Sequence, residues 1–165
     1  MKLVDVISQI KSGDIITWAN ETSWMDKWIS FWTRSPYDHV AVAYWTNNTL
    51  MFAQAGATGG VYMTPALTGA ITAHTGTCYW IPNNLTWNPG ADSVLNSAIG
   101  MKYSVLAEVE VGLDMTPPTN DYICSIYAAK ILNPLGLYIS PKGCTPKVVV
   151  AACLAKNGGK ITEIE

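Results

Sequence analysis

The side chains best suited to nucleophilic chemistry are a cysteine and a histidine that lie far apart in the sequence. Cys124 stands just after Asn120 and Asp121, either of which can cap a helix. In the first turn of such a helix, unpaired backbone N–H groups and the helix dipole favour a thiolate and can stabilise an oxyanion. The pattern thus predicts a reactive Cys124, and the alternative is a buried helical cysteine that only packs.

His39 gains a partner from the hairpin that the sequence predicts around it. Asn47 and Asn48 tolerate the positive φ angles of a two-residue turn, and pairing outward from this turn places Ala41 opposite Gln54. His39, Ala41 and Gln54 then share one face of the sheet, with His39 and Gln54 roughly 7–8 Å apart along the diagonal. The Gln54 amide can orient the imidazole, so the hairpin predicts a base and its orienting residue. A lone histidine is otherwise more often structural than catalytic.

The remaining cysteines and the second histidine show no comparable pattern. Cys78 falls in a predicted strand, Cys144 in a loop and Cys153 in the last helix, and no C-x-x-C motif is present. These spacings do not match a zinc site, so we expect no metal and no cofactor. His74 is predicted to lie in a loop or at the surface, without an evident partner.

Hydrophobic periodicity, caps and turn residues predict the elements that must position these groups. Predicted strands cover residues 15–19, 39–46, 50–55, 61–63, 77–81 and 160–164. Predicted helices cover residues 3–10, the Trp-rich segment 24–32, a short piece opened by Thr64-Pro65, the segment from Asn88-Pro89 to Gly100, residues 104–112, residues 121–132 and a last helix opened by Thr145-Pro146. Helices mixed with hairpin-connected strands indicate an α+β fold, with a small antiparallel sheet.

The composition and charge of the chain indicate its class of protein and argue against some partners. The 165 residues are 49% hydrophobic and 13% charged, which is typical of one globular domain, residues 1–165. A net charge of −2 without a basic run argues against a nucleic-acid partner. There is no apolar run long enough for a transmembrane segment and no signal-peptide pattern. We therefore expect a cytoplasmic or phage/virion-associated protein and leave the compartment open.

Several short motifs, in a fixed order, resemble the YiiX/YebB-like proteins, the circularly permuted branch of the NlpC-type, papain-like cysteine peptidases. The motifs are Gly13-Asp14-Ile15-Ile16, Thr33-Arg34-Ser35-Pro36-Tyr37-Asp38-His39-Val40-Ala41-Val42, Phe52-Ala53-Gln54-Ala55, Gly100-Met101-Lys102-Tyr103, Tyr122-Ile123-Cys124-Ser125 and Thr145-Pro146. They span most of the chain. Circular permutation would explain why the histidine precedes the cysteine.

The resemblance implies a role for each matched residue. Cys124 would be the nucleophile, His39 the base and Gln54 the third polar residue, although many relatives carry Glu at the position of Gln54. From the tyrosines in the matched motifs we expect substrate-binding positions at Tyr37, Tyr103 and Tyr122. The implied fold is a permuted papain-like sheet packed against helices.

The expected activity is hydrolysis of an amide or peptide bond through an acyl-enzyme, with peptidoglycan peptides as the substrate class that the resemblance suggests. A second hypothesis is lipid chemistry, as a thioesterase, acyl hydrolase or acyltransferase, with the Trp-rich segment 24–32 lining an acyl groove. A third is a binding or virion-associated module whose site is catalytically silent. The sequence does not choose among these substrates.

Overall fold

A computed structural model describes residues 1–20, 36–67, 74 and 76–165 of the chain. These residues form an α+β structure, as predicted, with a six-stranded sheet and five α-helices. The predicted Trp-rich helix at 24–32, the motif residues 33–35 and most of the helix predicted after Pro65 lie outside the described residues. None of the described helices has the length and hydrophobicity needed to span a bilayer.

The sheet is antiparallel throughout. Its strands are β1 (Ile15–Ala19), β2 (Tyr37–Thr46), β3 (Thr49–Gly56), β4 (Gly60–Pro65), β5 (Thr77–Ile81) and β6 (Thr162–Ile164), in the spatial order β4-β3-β2-β1-β5-β6. The strand predicted at 39–46 thus begins two residues earlier, and those predicted at 15–19 and 77–81 have the observed bounds.

The β2–β3 hairpin has the predicted turn and register. Asn47 and Asn48 have φ angles of 47° and 58°, which is the positive-φ pair of a type I′ turn. The β2–β3 ladder starts at the pair Thr46–Thr49 and ends at the pair Val42–Ala53. Because side chains alternate along a strand, this register puts His39 and Gln54 on the same face.

The helices are α1 (Leu3–Val6), α2 (Pro89–Ala98), α3 (Val105–Gly112), α4 (Cys124–Leu132) and α5 (Pro146–Asn157). Two of them start at the predicted caps, Asn88 and Thr145, and α3 starts after Ser104: the side chains of these three residues accept hydrogen bonds from the first turns of α2, α5 and α3. The buried core on one face of the sheet includes Val40 and Val42 together with α4. The opposite face packs an aromatic core around Trp18 and Phe52 against α1.

The helix predicted to open at Thr64-Pro65 is wrong at its start. Both residues belong to β4, where Pro65 pairs with Met51. An edge strand tolerates proline because its outer N–H groups have no ladder partner. The Thr64 hydroxyl has another use, since it accepts a hydrogen bond of 3.0 Å from Gln54 Nε2.

Helix α4 starts three residues later than predicted, and neither Asn120 nor Asp121 caps it. Its N-cap is Ile123, which makes no side-chain capping bond. The Asp121 carboxylate instead accepts a 2.8 Å hydrogen bond from Ser104 Oγ. The chain stays extended through Tyr122, which forms a bridge with Tyr103. Cys124 is therefore the first residue of α4 and lies in its first turn, as predicted.

Asp14 is a structural anchor at the start of β1. Its carboxylate is buried and accepts hydrogen bonds of 2.9 Å from Lys11 N, Trp80 Nε1 and Asn83 N. These donors belong to the segment before β1, to β5 and to the loop that follows β5. The Gly13-Asp14 motif therefore ties three segments together and takes no part in the candidate site.

The two ends of the described chain lie side by side. Leu3 N donates to the Glu165 carbonyl and Glu165 N donates to the Met1 carbonyl, each at 2.9 Å. The Met1 nitrogen also donates to the carbonyl of Glu163, next to the end of β6, at 3.1 Å. The first and last residues are thus held by backbone hydrogen bonds.

Candidate active site

A buried hydrogen-bond chain crosses β2, β3 and β4. His39 Nε2 donates to Gln54 Oε1 at 2.8 Å, and Gln54 Nε2 donates to Thr64 Oγ1 at 3.0 Å. The predicted contact between His39 and Gln54 is thus confirmed. Because Nε2 carries the proton in this bond, Nδ1 of the neutral ring holds the lone pair and is the atom able to accept a proton.

The backbone of β2 explains where the Cys124 sulfur lies. Ala43 exchanges backbone hydrogen bonds with Gly13 and Asp14, so the even-numbered residues Val40 and Val42 direct their N–H groups to the other side, toward β3. The β2–β3 ladder ends at Val42, which leaves the Val40 N–H outside it, and this N–H acts on the Cys124 thiol. We call this place, between residues 39–41 and residues 54–56, the β2–β3 seam. Cys124 packs in the core with Val40, on the helical face of the seam.

The two predicted catalytic side chains meet the seam from opposite faces of the sheet. Cys124 belongs to the core that contains Val40 and α4. The His39 ring packs on the other face, against Trp18. The hydrogen bonds of the described residues include none between the His39 ring and the Cys124 sulfur. The structure therefore brings His39 to Gln54, and it brings Cys124 to the backbone next to His39.

Burial keeps both groups neutral in this arrangement. Desolvation, and to a smaller extent the charge of Glu108, raises the pKa of Cys124 to about 12, although the N–H groups of Val40 and Ser125 act in the opposite direction. Desolvation and the charge of His74 lower the pKa of His39 to about 3, against the effect of the Gln54 hydrogen bond. The expectation that the helix start favours a thiolate is thus wrong for this conformation, because desolvation outweighs the helix N-terminus.

His74 is not a surface residue without a partner. Its ring stacks on His39 with centroids 4.8 Å apart and an interplanar angle of 23°. It also lies 4.4 Å from the centroid of Trp18, which in turn is 5.4 Å from His39. The sequence carries no periodic signal for this contact, because His74 belongs to no strand or helix.

Glu108 is a second residue of the site that sequence reasoning missed. It lies on α3, is buried, and accepts a hydrogen bond from the Tyr103 hydroxyl. Its charge acts on Cys124 and raises the pKa of that thiol. A glutamate in a helix normally faces solvent; the usable signal was its position four residues after the Ser104 cap, which puts it on the buried side of α3 with Ala107 and Val111.

The three tyrosines expected to bind substrate lie in different surroundings. Tyr37 starts β2 and packs against the helical core. Tyr122 packs edge-on against Tyr127, and the Lys130 ammonium lies 4.1 Å from its ring centroid. Tyr103 lines a cleft of about 350 Å³ between the β3–β4 turn and residues 100–102. No observation tests their role, which stays a prediction.

Comparison with known proteins shows a likeness in fold. A scan against protein-family models finds no match, and neither does a search of the curated proteins. Among solved structures, the chain is similar to metalloprotein YiiX from Escherichia coli O157:H7, a DUF1105 protein. The TM-score is 0.60 with 21% sequence identity, over 92% of this chain and 84% of that chain. At this level of identity the likeness concerns the fold alone, so the chain has an α+β fold like that of YiiX.

Proposed function

We propose that this chain is a cysteine hydrolase of the circularly permuted papain-like kind, which cleaves an amide or peptide bond through an acyl-enzyme. The observation that carries the proposal is the seam itself. The Val40 N–H acts on the Cys124 thiol on one face, and the His39–Gln54 hydrogen bond of 2.8 Å lies on the other face of the same two strands. This supports a nucleophile on α4 and a base with its orienting amide on β2 and β3.

The chemistry follows from the tautomer that Gln54 imposes. The Cys124 sulfur attacks the carbonyl carbon as His39 Nδ1 takes the thiol proton, and the same nitrogen returns that proton to the leaving amine as the C–N bond breaks. Water then attacks the thioester, with His39 again taking a proton, which releases the acid and the free thiol. Since the ring and the sulfur are not hydrogen-bonded here, we infer that the Cys124 thiol and His39 Nδ1 must come together at the seam before the first step.

The cleft beside Tyr103 fits the substrate side of this proposal. Its volume of about 350 Å³ lies within the usual range for small-ligand sites. Tyr103 connects it to Cys124 through Glu108, whose carboxylate accepts from the Tyr103 hydroxyl and acts on the thiol. A peptide segment in this cleft would contact Tyr103. Peptidoglycan peptides remain the substrate class suggested by the resemblance.

The experiment is hydrolysis of a muropeptide mixture and of peptide amides by the full chain. We expect turnover that Cys124→Ala and His39→Ala abolish. Cys153→Ala is the matched control, because Cys153 is another buried thiol but lies in α5, and it should keep activity. Undiminished turnover by Cys124→Ala would contradict the proposal.

A lipid acyl substrate is the second candidate, and one observation favours it. Helix α3, which carries Glu108 on its buried side, begins and ends with exposed apolar residues. Leu106 is 63% exposed and Leu113 is 55% exposed. Such a surface suits contact with aggregated lipid. Cleavage of acyl thioesters or vesicle phospholipids, without cleavage of muropeptides, would favour this candidate. A silent binding module predicts no turnover of either substrate.

The similar structure belongs to a protein described as a metalloprotein, but the described residues of this chain offer no comparable set of metal ligands. The described residues contain no group of three His, Cys, Asp or Glu side chains placed to hold a metal ion. His39 and His74 are stacked, so their in-plane lone pairs run side by side instead of converging, and His39 Nε2 is already bonded to Gln54. The described residues do not fit a metal centre, and no step is assigned to one.

A further inference from the structure

Three rings form a compact group on the face of the sheet opposite α4. Trp18 on β1 pairs with His39 on β2, and their ring centroids are 5.4 Å apart. The His74 ring lies against both, at 4.4 Å from Trp18 and 4.8 Å from His39. Trp18 is fully buried and His39 is 8% exposed, whereas His74 is only partly buried. His74 thus forms the outer side of the pocket that holds the base.

This placement constrains the His39 ring in two directions. The Gln54 hydrogen bond fixes one edge of the ring, and the stacked His74 ring covers one of its faces at an interplanar angle of 23°. Rotation of the imidazole about its χ2 angle would have to displace the His74 ring. The His74 ring and the Gln54 hydrogen bond therefore limit the orientations that the base can take.

The same contact joins the two imidazoles electrostatically. A charge on His74 disfavours a proton on the His39 ring at this distance. In the described residues, the other ionisable side chains on neighbouring elements include Tyr37, Asp38 and Tyr44 on β2, Tyr62 on β4, Cys78 and Tyr79 on β5, and Cys124 on α4. The ionisable ring that stacks on His39 is that of His74.

We propose that His74 is a positioning residue for the base. Its stacked ring orients the His39 imidazole, and its charge adds to the burial that keeps this imidazole unprotonated and able to accept the thiol proton. This inference rests on the proposed function, because it assigns a second residue to the same reaction. The proposal requires that the orientation of the His39 ring depend on the shape of residue 74, and that the proton affinity of His39 depend on the charge of residue 74.

Two substitutions separate shape from charge. His74→Phe keeps an aromatic ring for stacking and removes the charge, whereas His74→Ala removes both. By ring NMR titration we expect His74→Phe to raise the pKa of His39 by about one unit, a tenfold increase in proton affinity. We expect His74→Phe to keep most of the turnover at neutral pH and to shift the acid limb of its pH profile upward. His74→Ala should lower kcat about tenfold or more with little change in KM.

The titration is independent of any substrate, so the two proposals can fail separately. An unchanged His39 titration in folded His74→Phe, or full kcat in folded His74→Ala, would overturn the role of His74. If the titration shifts as expected but the wild-type chain hydrolyses no amide, peptide or acyl substrate, the coupling of the rings is supported and the proposed function is contradicted. Circular dichroism of both variants verifies that they are folded.

Discussion

Gln54→Glu should move the proton affinity of His39 further than any other single change at the site. The substitution keeps the side-chain length and replaces a neutral oxygen, 2.8 Å from Nε2, with a charged one. Two charges about 4 Å apart interact by about 4 kcal/mol at an effective dielectric constant of about 20. At 1.36 kcal/mol per pKa unit, this corresponds to about 3 units. The pKa of His39 should therefore rise from about 3 to about 6.

The assay is ring-proton NMR as a function of pH, which is tractable because the chain has two histidines. The spectrum of His74→Phe assigns the two resonances. Gln54→Leu provides the matched control: it removes the hydrogen bond that raises the pKa of His39, so that pKa should fall further. The reasoning is refuted if wild-type His39 already titrates near 6.5, or if Gln54→Glu leaves its titration unchanged.

Three further predictions concern stability and thiol reactivity. The pKa of His39 is about 3 in the folded state and 6.5 as a free side chain, so the unfolded chain binds the extra proton between these values. The free energy of unfolding should thus fall by up to about 5 kcal/mol as pH drops from 6.5 to 3. In urea titrations, His39→Gln should lack this pH dependence. Equal pH dependence in the wild-type chain and in His39→Gln would disprove the prediction. Glu108→Gln removes a charge that raises the pKa of Cys124, so iodoacetamide should modify Cys124 faster. Mass spectrometry should show unchanged modification rates at the other three cysteines. An unchanged rate at Cys124 would count against this electrostatic effect. Asp14→Ala leaves three donors unpaired, two of them buried, and should cost about 3 kcal/mol of unfolding free energy. Asp5→Ala at an exposed position should cost little, and similar losses in both would contradict the anchoring role.

The parts of the fold that were predictable depend on local physics. The turn at Asn47 and Asn48 follows from the backbone preferences of two adjacent residues, and the register that it sets placed His39 beside Gln54. The caps of α2, α3 and α5 were equally local. The start of α4 was misplaced because Asp121 bonds to a residue seventeen positions away, so its capping potential is used elsewhere.

The rest of the candidate site depends on tertiary structure. His74 and Glu108 reach the catalytic candidates only through the packing of the whole chain. The ionisation of Cys124 also depends on tertiary structure. A sequence can predict a helix N-terminus, which favours the thiolate, but it does not predict the desolvation that opposes this effect. The sequence therefore predicted which residues lie together better than it predicted their charges.

Because residues 1–3 pair with residues 163–165, the order of the elements along the sequence could change without a change in their arrangement in space. Because Leu3 and Glu165 are already hydrogen-bonded, a short peptide could close the chain into a ring without moving the sheet. Such a ring could be reopened in an exposed turn, for instance between Asn47 and Asn48, and still supply every strand in its present place. Cutting there would put Cys124 ahead of His39 in the new chain. The order of Cys124 and His39 along the chain is thus a matter of where the chain is opened.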